Sequence, residues 1–517
     1  MAQFIGHDQW FVRWVPQFYG YGYPVFNFYP PLFSILGTVL VKTGLTYVWA
    51  LNLACFFIVL FSGFTMYFFS KELWGYEGGF LSGVAYMIAP YLMLDLYSRG
   101  AYPEATSFPF LPLILWAFLK LTKELKAHYL SIASLSIAGL FLSHNCITLV
   151  FCPIIFLYIL VLHLFPYRQN RPTITSGIRR HWPFLASLTA FGLGIGLAAF
   201  FWLPAILEKN FVHIDKLVGG FLDYHNNFLS IQQLIYSPWP TKPGPYYSYE
   251  IGPMHCLLAI TTLCMITKVT KDREFLRPQI LFLFLISMTC IFLTLHSSLI
   301  IWEHLPILKF MSFPWRFLVI ITCMVSTLAG GITLVSHPKH RPVLMILGVL
   351  ALLLINASRS HPPYGSVKVN LKNVTASMVF TRLQPQDTGE YLPQWVKTIR
   401  YPIPSEKLEI ITGEGQILNK NTVSDLHQTF TVGISTPSIL CFNVFYFPGW
   451  NIKVDGHDVD IFKNNPFGLM FFSINPGVHE IKADFGPTPV RRAATIISIV
   501  CLILLIGLLF YKIPVDS

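Results

Sequence analysis

Charge is scarce in this chain. Asp, Glu, Lys and Arg together make up 12% of its 517 residues, whereas 54% are hydrophobic and the mean hydropathy is +0.56. Soluble globular domains carry about 25% charged residues, so composition excludes that class. None of the nine cysteines forms a CxxC pair, and Cys55, Cys152, Cys264, Cys323 and Cys501 fall inside apolar runs. Neither a zinc site nor a disulfide framework is indicated. The first residues are polar and aromatic, so no cleavable signal peptide is expected. No internal repeat or low-complexity tract stands out.

Apolar blocks fill the chain instead. Clear examples are Tyr47 to Ser70, Pro183 to Leu207, Gln279 to Leu295, Arg316 to Val335 and Ala493 to Tyr511. Each is long enough to cross about 30 Å of hydrocarbon. The expected fold is a polytopic α-helical membrane protein of about 11–13 helices. A long polar segment interrupts the blocks near the end. Four regions are therefore expected: an outer N-terminal loop with a short re-entrant or surface helix (1–45), a transmembrane bundle (46–357), an extracytoplasmic β-rich domain (358–490), and a last transmembrane helix with a cytoplasmic tail (491–517).

The net charge of +11 is distributed in phase with the helices. Lys120, Lys123 and Lys126 form one basic group, and Arg168, Arg171, Arg179 and Arg180 a second. Lys268, Lys271, Arg273 and Arg277 form a third, and Lys339 with Arg341 a fourth. Two apolar segments separate neighbouring groups, and Lys71 keeps the same phase. The positive-inside rule makes these loops cytoplasmic. The basic residues form no single patch, so a nucleic-acid partner is not expected. The intervening loops and the polar segment then lie outside.

From Lys407 to Phe485 the helical blocks give way to alternation and turns. Phe442, Val444 and Tyr446 alternate with Cys441, Asn443 and Phe445. Ile452 to Val454 leads into Asp455-Gly456, a hairpin signal, with Val459 to Ile461 beyond. Asn475-Pro476-Gly477 is a second turn. The expectation is an antiparallel β-sandwich, with no nucleophile and base assembled in it.

Polar residues gather in the outer segments. They are His7 and Asp8 near the start, Arg99 and Glu104 in YSRGAYPE, His144 and Asn145 in LSHN, Glu303 and His304, and Arg316 in FMSFPWRF. Ionisable groups at membrane depth cost several kcal/mol unless paired or wet, and so mark candidate sites. Each also has a plainer reading: Arg99 and Glu104 as a structural ion pair, His144 as a helix cap, Arg316 snorkelling beside Trp315, Asp8 as a solvated acid. The N-terminal aromatics, Trp10, Trp14, Phe18, Tyr19, Tyr21, Tyr23, Phe26, Phe28 and Tyr29, read either as an interfacial belt or as a platform for sugar rings or a polyprenyl chain.

The runs HDQWFVRWVPQFYGYGYPVFNFYPPL, PYLMLDLYSRGAYPE, LSHN, FPWRF, EYLP and FYFPGWNIKVDG, in this order, resemble bacterial membrane proteins of the YfhO-like, pyruvoyl-tetrahydropterin-synthase-related type. No pterin-enzyme zinc site accompanies them. Such proteins resemble the GT-C glycosyltransferases, which use polyprenyl-phosphate-linked sugars on the outer face of the membrane. The resemblance implies an acid in the first outer loop, and Asp8 takes that place as the general base. It implies a second outer acid, matched by Glu104. The helix that precedes the first loop in those enzymes has no counterpart before Asp8. Arg316 and Arg99 would then hold the leaving phosphate. His7, His144, Asn145, Glu390 and Tyr391 would line the substrate site. The resemblance implies no fixed cofactor and leaves open a divalent cation (Mg or Mn). The expected setting is a bacterial cytoplasmic membrane, with a lipid-linked sugar donor and a glycan, lipid or protein acceptor. A non-enzymatic transporter or assembly factor for lipid-linked glycans is the alternative; it predicts charges at mid-membrane and broken helices.

Overall fold

A computed structural model describes residues 11–166, 181–218, 220–239, 247–269, 273–334, 338–359, 361 and 389–510. The chain divides into two compact units. One comprises Met1–Tyr29, Ala199–Leu217 and Val369–Ile497; the other comprises Pro30–Ala198, Val218–Lys368 and Ser498–Ser517.

The second unit is helical. Among the described residues of the whole chain, seven helices are long and apolar enough to cross a membrane, or eight if Trp182–Leu197 and Ala199–Leu207 make one span. Leu32–Lys42, Ala127–Ser143 and Pro253–Cys264 are shorter apolar helices. The longest continuous stretch, Tyr47–Met87, is in fact two helices. Gly75 breaks it at φ 83°, a conformation that glycine adopts at little cost. The halves then run back against each other. A Cβ on Gly83 would stand 3.0 Å from the Gly63 carbonyl oxygen, and one on Gly79 3.0 Å from Lys71 Cα. The described residues thus hold seven or eight candidate spans, three shorter apolar helices and this reversal.

Lipid is as apolar as leucine, so the bundle needs more than burial to cohere. Close backbone approach supplies one contribution. A Cβ on Gly330 would lie 2.2 Å from the Gly78 carbonyl oxygen. Interhelical hydrogen bonds supply another. Trp74 Nε1 and Ser82 Oγ, one on each half of the hairpin, both donate to the Thr327 carbonyl at 2.6 and 3.1 Å. Thr262 Oγ1 donates to the neighbouring Leu328 carbonyl at 2.8 Å. Two of the basic groups come near each other. Lys123 Nζ is 2.9 Å and Lys120 Nζ 3.5 Å from the two carboxylate oxygens of Glu72, and Lys123 lies 5.6 Å from the Phe275 ring. Lys71, Lys120 and the segment that leads into Phe275 thus lie at one end of the bundle.

The first unit holds the β-domain. Strands β1 (Leu408–Thr412), β4 (Ser438–Phe445) and β7 (Leu469–Ile474) form one antiparallel sheet in the order β1-β4-β7. Strands β2 (Gly415–Ser424), β3 (His427–Ile434), β5 (Trp450–Val454), β6 (His457–Asp458) and β8 (Gly477–Phe485) form the other, in the order β2-β3-β8-β5-β6. Phe430, Phe442 and Trp450 interlock between the sheets, with ring centroids 6.1 and 5.7 Å apart. Asp455 (φ 50°) and Gly456 (φ 82°) make the expected tight turn. The strand beyond it stops at Asp458 and does not continue through Ile461.

In β4 every residue but Ile439 is buried. The N-terminal segment covers it: Phe445 N donates to the Tyr21 carbonyl at 3.0 Å, and the rings of Tyr21 and Phe445 lie 5.0 Å apart. Trp14, Tyr21 and Tyr23 are each 1% exposed. With Tyr19 and Phe28, these aromatics are domain core, so neither the belt nor the platform reading holds for them; Phe18 and Phe26 are half-buried and Tyr29 is exposed. Trp10 lies outside the described residues.

A buried polar knot ties the same unit together. Arg13 Nη1 donates to Asn27 Oδ1 at 3.0 Å, and Asn27 Nδ2 to Glu208 Oε2 at 2.9 Å. Arg491 Nε donates to the same oxygen at 3.0 Å, and Thr488 Oγ1 to Glu208 Oε1 at 2.6 Å. Arg13 Nη2 takes the Phe200 carbonyl at 2.5 Å. That carbonyl is available because Pro204, four residues on in the helix, has no N–H to offer it.

Candidate functional site

The polar residues of the helical unit converge on one carboxylate. Helix Pro90–Leu94 passes into a π turn at Asp95–Arg99, closed by Gly100 at φ 63°. Wide turns of this kind are frequent at functional sites. The turn brings Arg99 Nη1 to 2.5 Å from Asp95 Oδ1. The next helix, Tyr102–Ser107, carries Glu104 in its first turn. Tyr91 OH donates to Glu104 Oε1 at 2.6 Å, and Arg99 Nη1 donates to that hydroxyl at 2.9 Å. Arg99 also reaches both oxygens of Glu104, at 3.4 Å each.

Two further segments close the far side. Arg316 stands in the 3₁₀ turn Pro314–Phe317 at the head of helix Leu318–Ala329. Its Nε lies 3.6 Å from Glu104 Oε2, and its Nη1 donates to the Met311 carbonyl and, at 3.4 Å, to Cys146 Sγ. His144 caps helix Asn145–Leu164: its Nδ1 accepts from Ile147 N at 3.3 Å, which turns Nε2 toward Glu104 Oε2 at 3.9 Å. Phe313, Trp315 and Tyr249 stack beside the cluster at 4.5 and 4.3 Å.

The side chains of Asp95 and Glu104 are 0% and 2% exposed, so water does not compensate their charges. The two guanidiniums do. Such a cluster is strongly destabilised when one member is lost, yet contributes little net stability over an apolar replacement. Its presence therefore calls for a functional reason. Asp95 Oδ2 and Ser98 Oγ are buried without a hydrogen-bond partner. The cluster has the elements of an anion site: two forked cations able to grip phosphate, backed by oriented acids and an aromatic wall.

Arg99, Glu104, His144 and Arg316 thus meet. Two of the plain readings also hold, since Arg99 pairs with Glu104 and His144 caps a helix. Arg316 does not snorkel away with Trp315; the buried acid draws it inward. Asn145 is exposed at the first position of its helix. Glu390 and Tyr391 belong to the β-rich unit, where Tyr391 stacks on Phe28 at 5.6 Å and its N–H donates to Tyr23 OH at 3.2 Å. His7 and Asp8 lie outside the described residues. Sequence reasoning missed Asp95 and Tyr91, although a carboxylate inside the apolar run LMLDL was the available signal. Among the described residues, no group of three or more His, Cys, Asp or Glu is placed to hold a metal ion.

Residues 26–362 match the family described as the 6-pyruvoyl-tetrahydropterin synthase related domain, a membrane protein family. The chain belongs to that family. The matched region contains Asp95, Arg99, Glu104, His144 and Arg316, so this YfhO-like protein keeps its whole buried cluster inside the family region. No curated protein matches the chain.

Proposed function

We propose that this protein is a membrane glycosyltransferase that moves a sugar from a polyprenyl-phosphate donor to a cell-envelope acceptor, with the buried cluster as its reaction centre. One observation carries the reading: two arginines converge on a water-poor acid, within the motifs of a family that resembles GT-C enzymes. In the reaction, the acceptor hydroxyl oxygen bonds to the sugar C1 as the bond from C1 to the phosphate oxygen breaks. The electron pair leaves with the phosphate, and the hydroxyl proton passes to a carboxylate. Arg316 and Arg99 stabilise the charge that grows on the leaving phosphate. Glu104 fixes both guanidiniums, and His144 presents an N–H beside it. Asp8 is the proton acceptor that the resemblance suggests.

The cluster lies at helix ends: Arg99 closes the helical run that follows Gly75, Glu104 opens Tyr102–Lys123 and Arg316 opens Pro314–Leu334. That position favours an enzyme working at the membrane surface over a transporter with mid-membrane charges. The test is mass spectrometry of envelope glycolipids from a deletion strain, complemented with wild type or Arg316→Lys at equal abundance. Loss of one glycosylated species, restored by wild type alone, supports the reading. An unchanged glycolipid profile in the deletion strain overturns it.

A further inference from the structure

Residues 299–311 form a strap between the spans Leu276–Thr294 and Pro314–Leu334. Its second half, Pro306–Met311, is a 3₁₀ helix, in which side chains three residues apart eclipse. Three faces result. Leu308 and Met311 are buried. Ile307 and Phe310 are 52% and 42% exposed. Pro306 and Lys309 share the remaining face, where Lys309 supplies a charge. In the first half, Leu299–His304, Trp302 is buried while Ile300 and His304 are exposed. A segment at the boundary between lipid and water needs this division into a core face, an apolar outer face and a polar edge.

The strap is held at the depth where the spans end. Span Leu276–Thr294 starts next to Phe275, which lies beside Lys123. Its 19 residues cover about 28 Å, close to the ~30 Å of hydrocarbon. Leu281, Leu285, Met288 and Phe292 are exposed along it, at the spacing of one helix face, so its apolar stripe continues into the last turn. In that turn the Leu293 carbonyl accepts from Trp302 Nε1 at 3.1 Å. The Trp302 ring also meets Phe317, at the head of the next span, edge to face at 6.2 Å. The strap is thus tied to the ends of both spans and does not rise from them as a loop in water.

The strap also builds part of the buried cluster. The Phe310 carbonyl accepts from Cys146 Sγ at 3.5 Å, and the Met311 carbonyl accepts from Arg316 Nη1. Ser312 then turns the chain at φ 60°, which is uncommon for a residue other than glycine. Phe310 therefore offers its carbonyl to the cluster while its ring stays exposed.

We propose that residues 299–311 are seated in the bilayer, at the end of the bundle away from Lys123. Ile307 and Phe310 enter the acyl region of that leaflet, and Lys309 stays in the headgroup layer. Lipid contact then holds the two carbonyls against Cys146 and Arg316. Ile307 and Phe310 act through those carbonyls, as positioning residues for the cluster.

Two measurements on the full chain in lipid nanodiscs test this, and neither involves a glycan substrate. In the first, the fluorescent amino acid Anap replaces Ile307 or Phe310. Each probe should be quenched by lipid carrying a doxyl group near the top of its acyl chain. Iodide should quench it several-fold less than a probe at Gln416, which is exposed on β2. Iodide quenching equal to that at Gln416 puts the strap in water and overturns the seating. Protection from both quenchers assigns the face to a protein contact, such as a second copy, and overturns it equally. The second measurement is alkylation of Cys146 by a maleimide, resolved peptide by peptide. Ile307→Ser with Phe310→Ser should raise its rate several-fold, whereas Ile307→Leu with Phe310→Leu should leave it at the wild-type rate. Both side chains are exposed, so neither pair removes core packing. A rate unchanged in the serine pair, or raised equally in the leucine pair, overturns the positioning role.

Discussion

Replacing Glu208 by Gln should unfold the β-rich unit at a distinctly lower temperature. Gln keeps the size of the side chain and can still meet Asn27, Thr488 and Arg491, but it removes the negative charge of Glu208. Arg491, 2% exposed, then loses the carboxylate that its Nε and Nη2 meet at 3.0 and 2.9 Å. Removing one partner of a buried ion pair costs about 3–5 kcal/mol. For a unit of this size each kcal/mol moves the midpoint by roughly 2–4 °C, so the shift should be on the order of 10 °C. Trp14 and Trp450 lie in the same core, 5.9 Å apart, and their fluorescence reports its melting in the intact, detergent-solubilised chain. The control is Glu406→Gln, which breaks the exposed pair with Lys420 and should cost about 0–1 kcal/mol. If the two variants melt within about 1 °C of each other, the knot is not the electrostatic tie described here.

Three further outcomes follow from other parts of the chain. Gly330→Val would drive a side chain into the Gly78 carbonyl, so folded, monodisperse protein should be lost on size exclusion, whereas Gly192→Ala, with open space around it, should behave as wild type. Reporter fusions after Lys123, Arg171 and Lys271 should read cytoplasmic, and fusions near Asn226 and Gly415 extracytoplasmic; an outside reading at Arg171 reverses the charge phase. In the β-domain, the hydrogen bond between Asp455 and His479 (2.6 Å) raises the His479 pKa and, through the same contact, lowers that of Asp455. Its stabilisation is therefore complete between about pH 4 and 6.5, is lost as pH rises through the raised His479 value, and is lost again as pH falls through the depressed Asp455 value. Asp455→Asn should narrow the gap to wild type at both extremes, and a gap independent of pH would contradict the pairing.

The helical bundle and the β-domain were legible because each writes its period into the chain: long apolar blocks for one, alternation with Asp-Gly and Pro-Gly turns for the other. What stayed hidden depends on contacts distant in sequence. Nothing local announces that Tyr47–Met87 reverses at Gly75, because glycine is tolerated in straight spans too. The N-terminal aromatics looked interfacial, since their burial comes from strands more than 400 residues later, such as Tyr21 against Phe445. Arg13, Glu208 and Arg491 stand far apart in the chain and meet only in the fold. In the site, Arg99, Glu104, His144 and Arg316 were readable as ionisable residues at the ends of apolar blocks. Asp95 was passed over because it sits within a block, where its cost, and so its information, is greatest.

The central claim is that the buried cluster transfers a sugar from a phosphate-linked lipid. The most direct measurement is the release of polyprenyl phosphate from a polyprenyl-phosphate sugar by the purified chain in liposomes, with an envelope glycolipid extract as acceptor. The account predicts release by wild type. It predicts a fall of roughly 10²–10³-fold in Arg316→Lys at equal protein level, because Lys keeps the charge but loses the planar fork. Release that is unchanged in Arg316→Lys and in Glu104→Gln would place the chemistry elsewhere and contradict it.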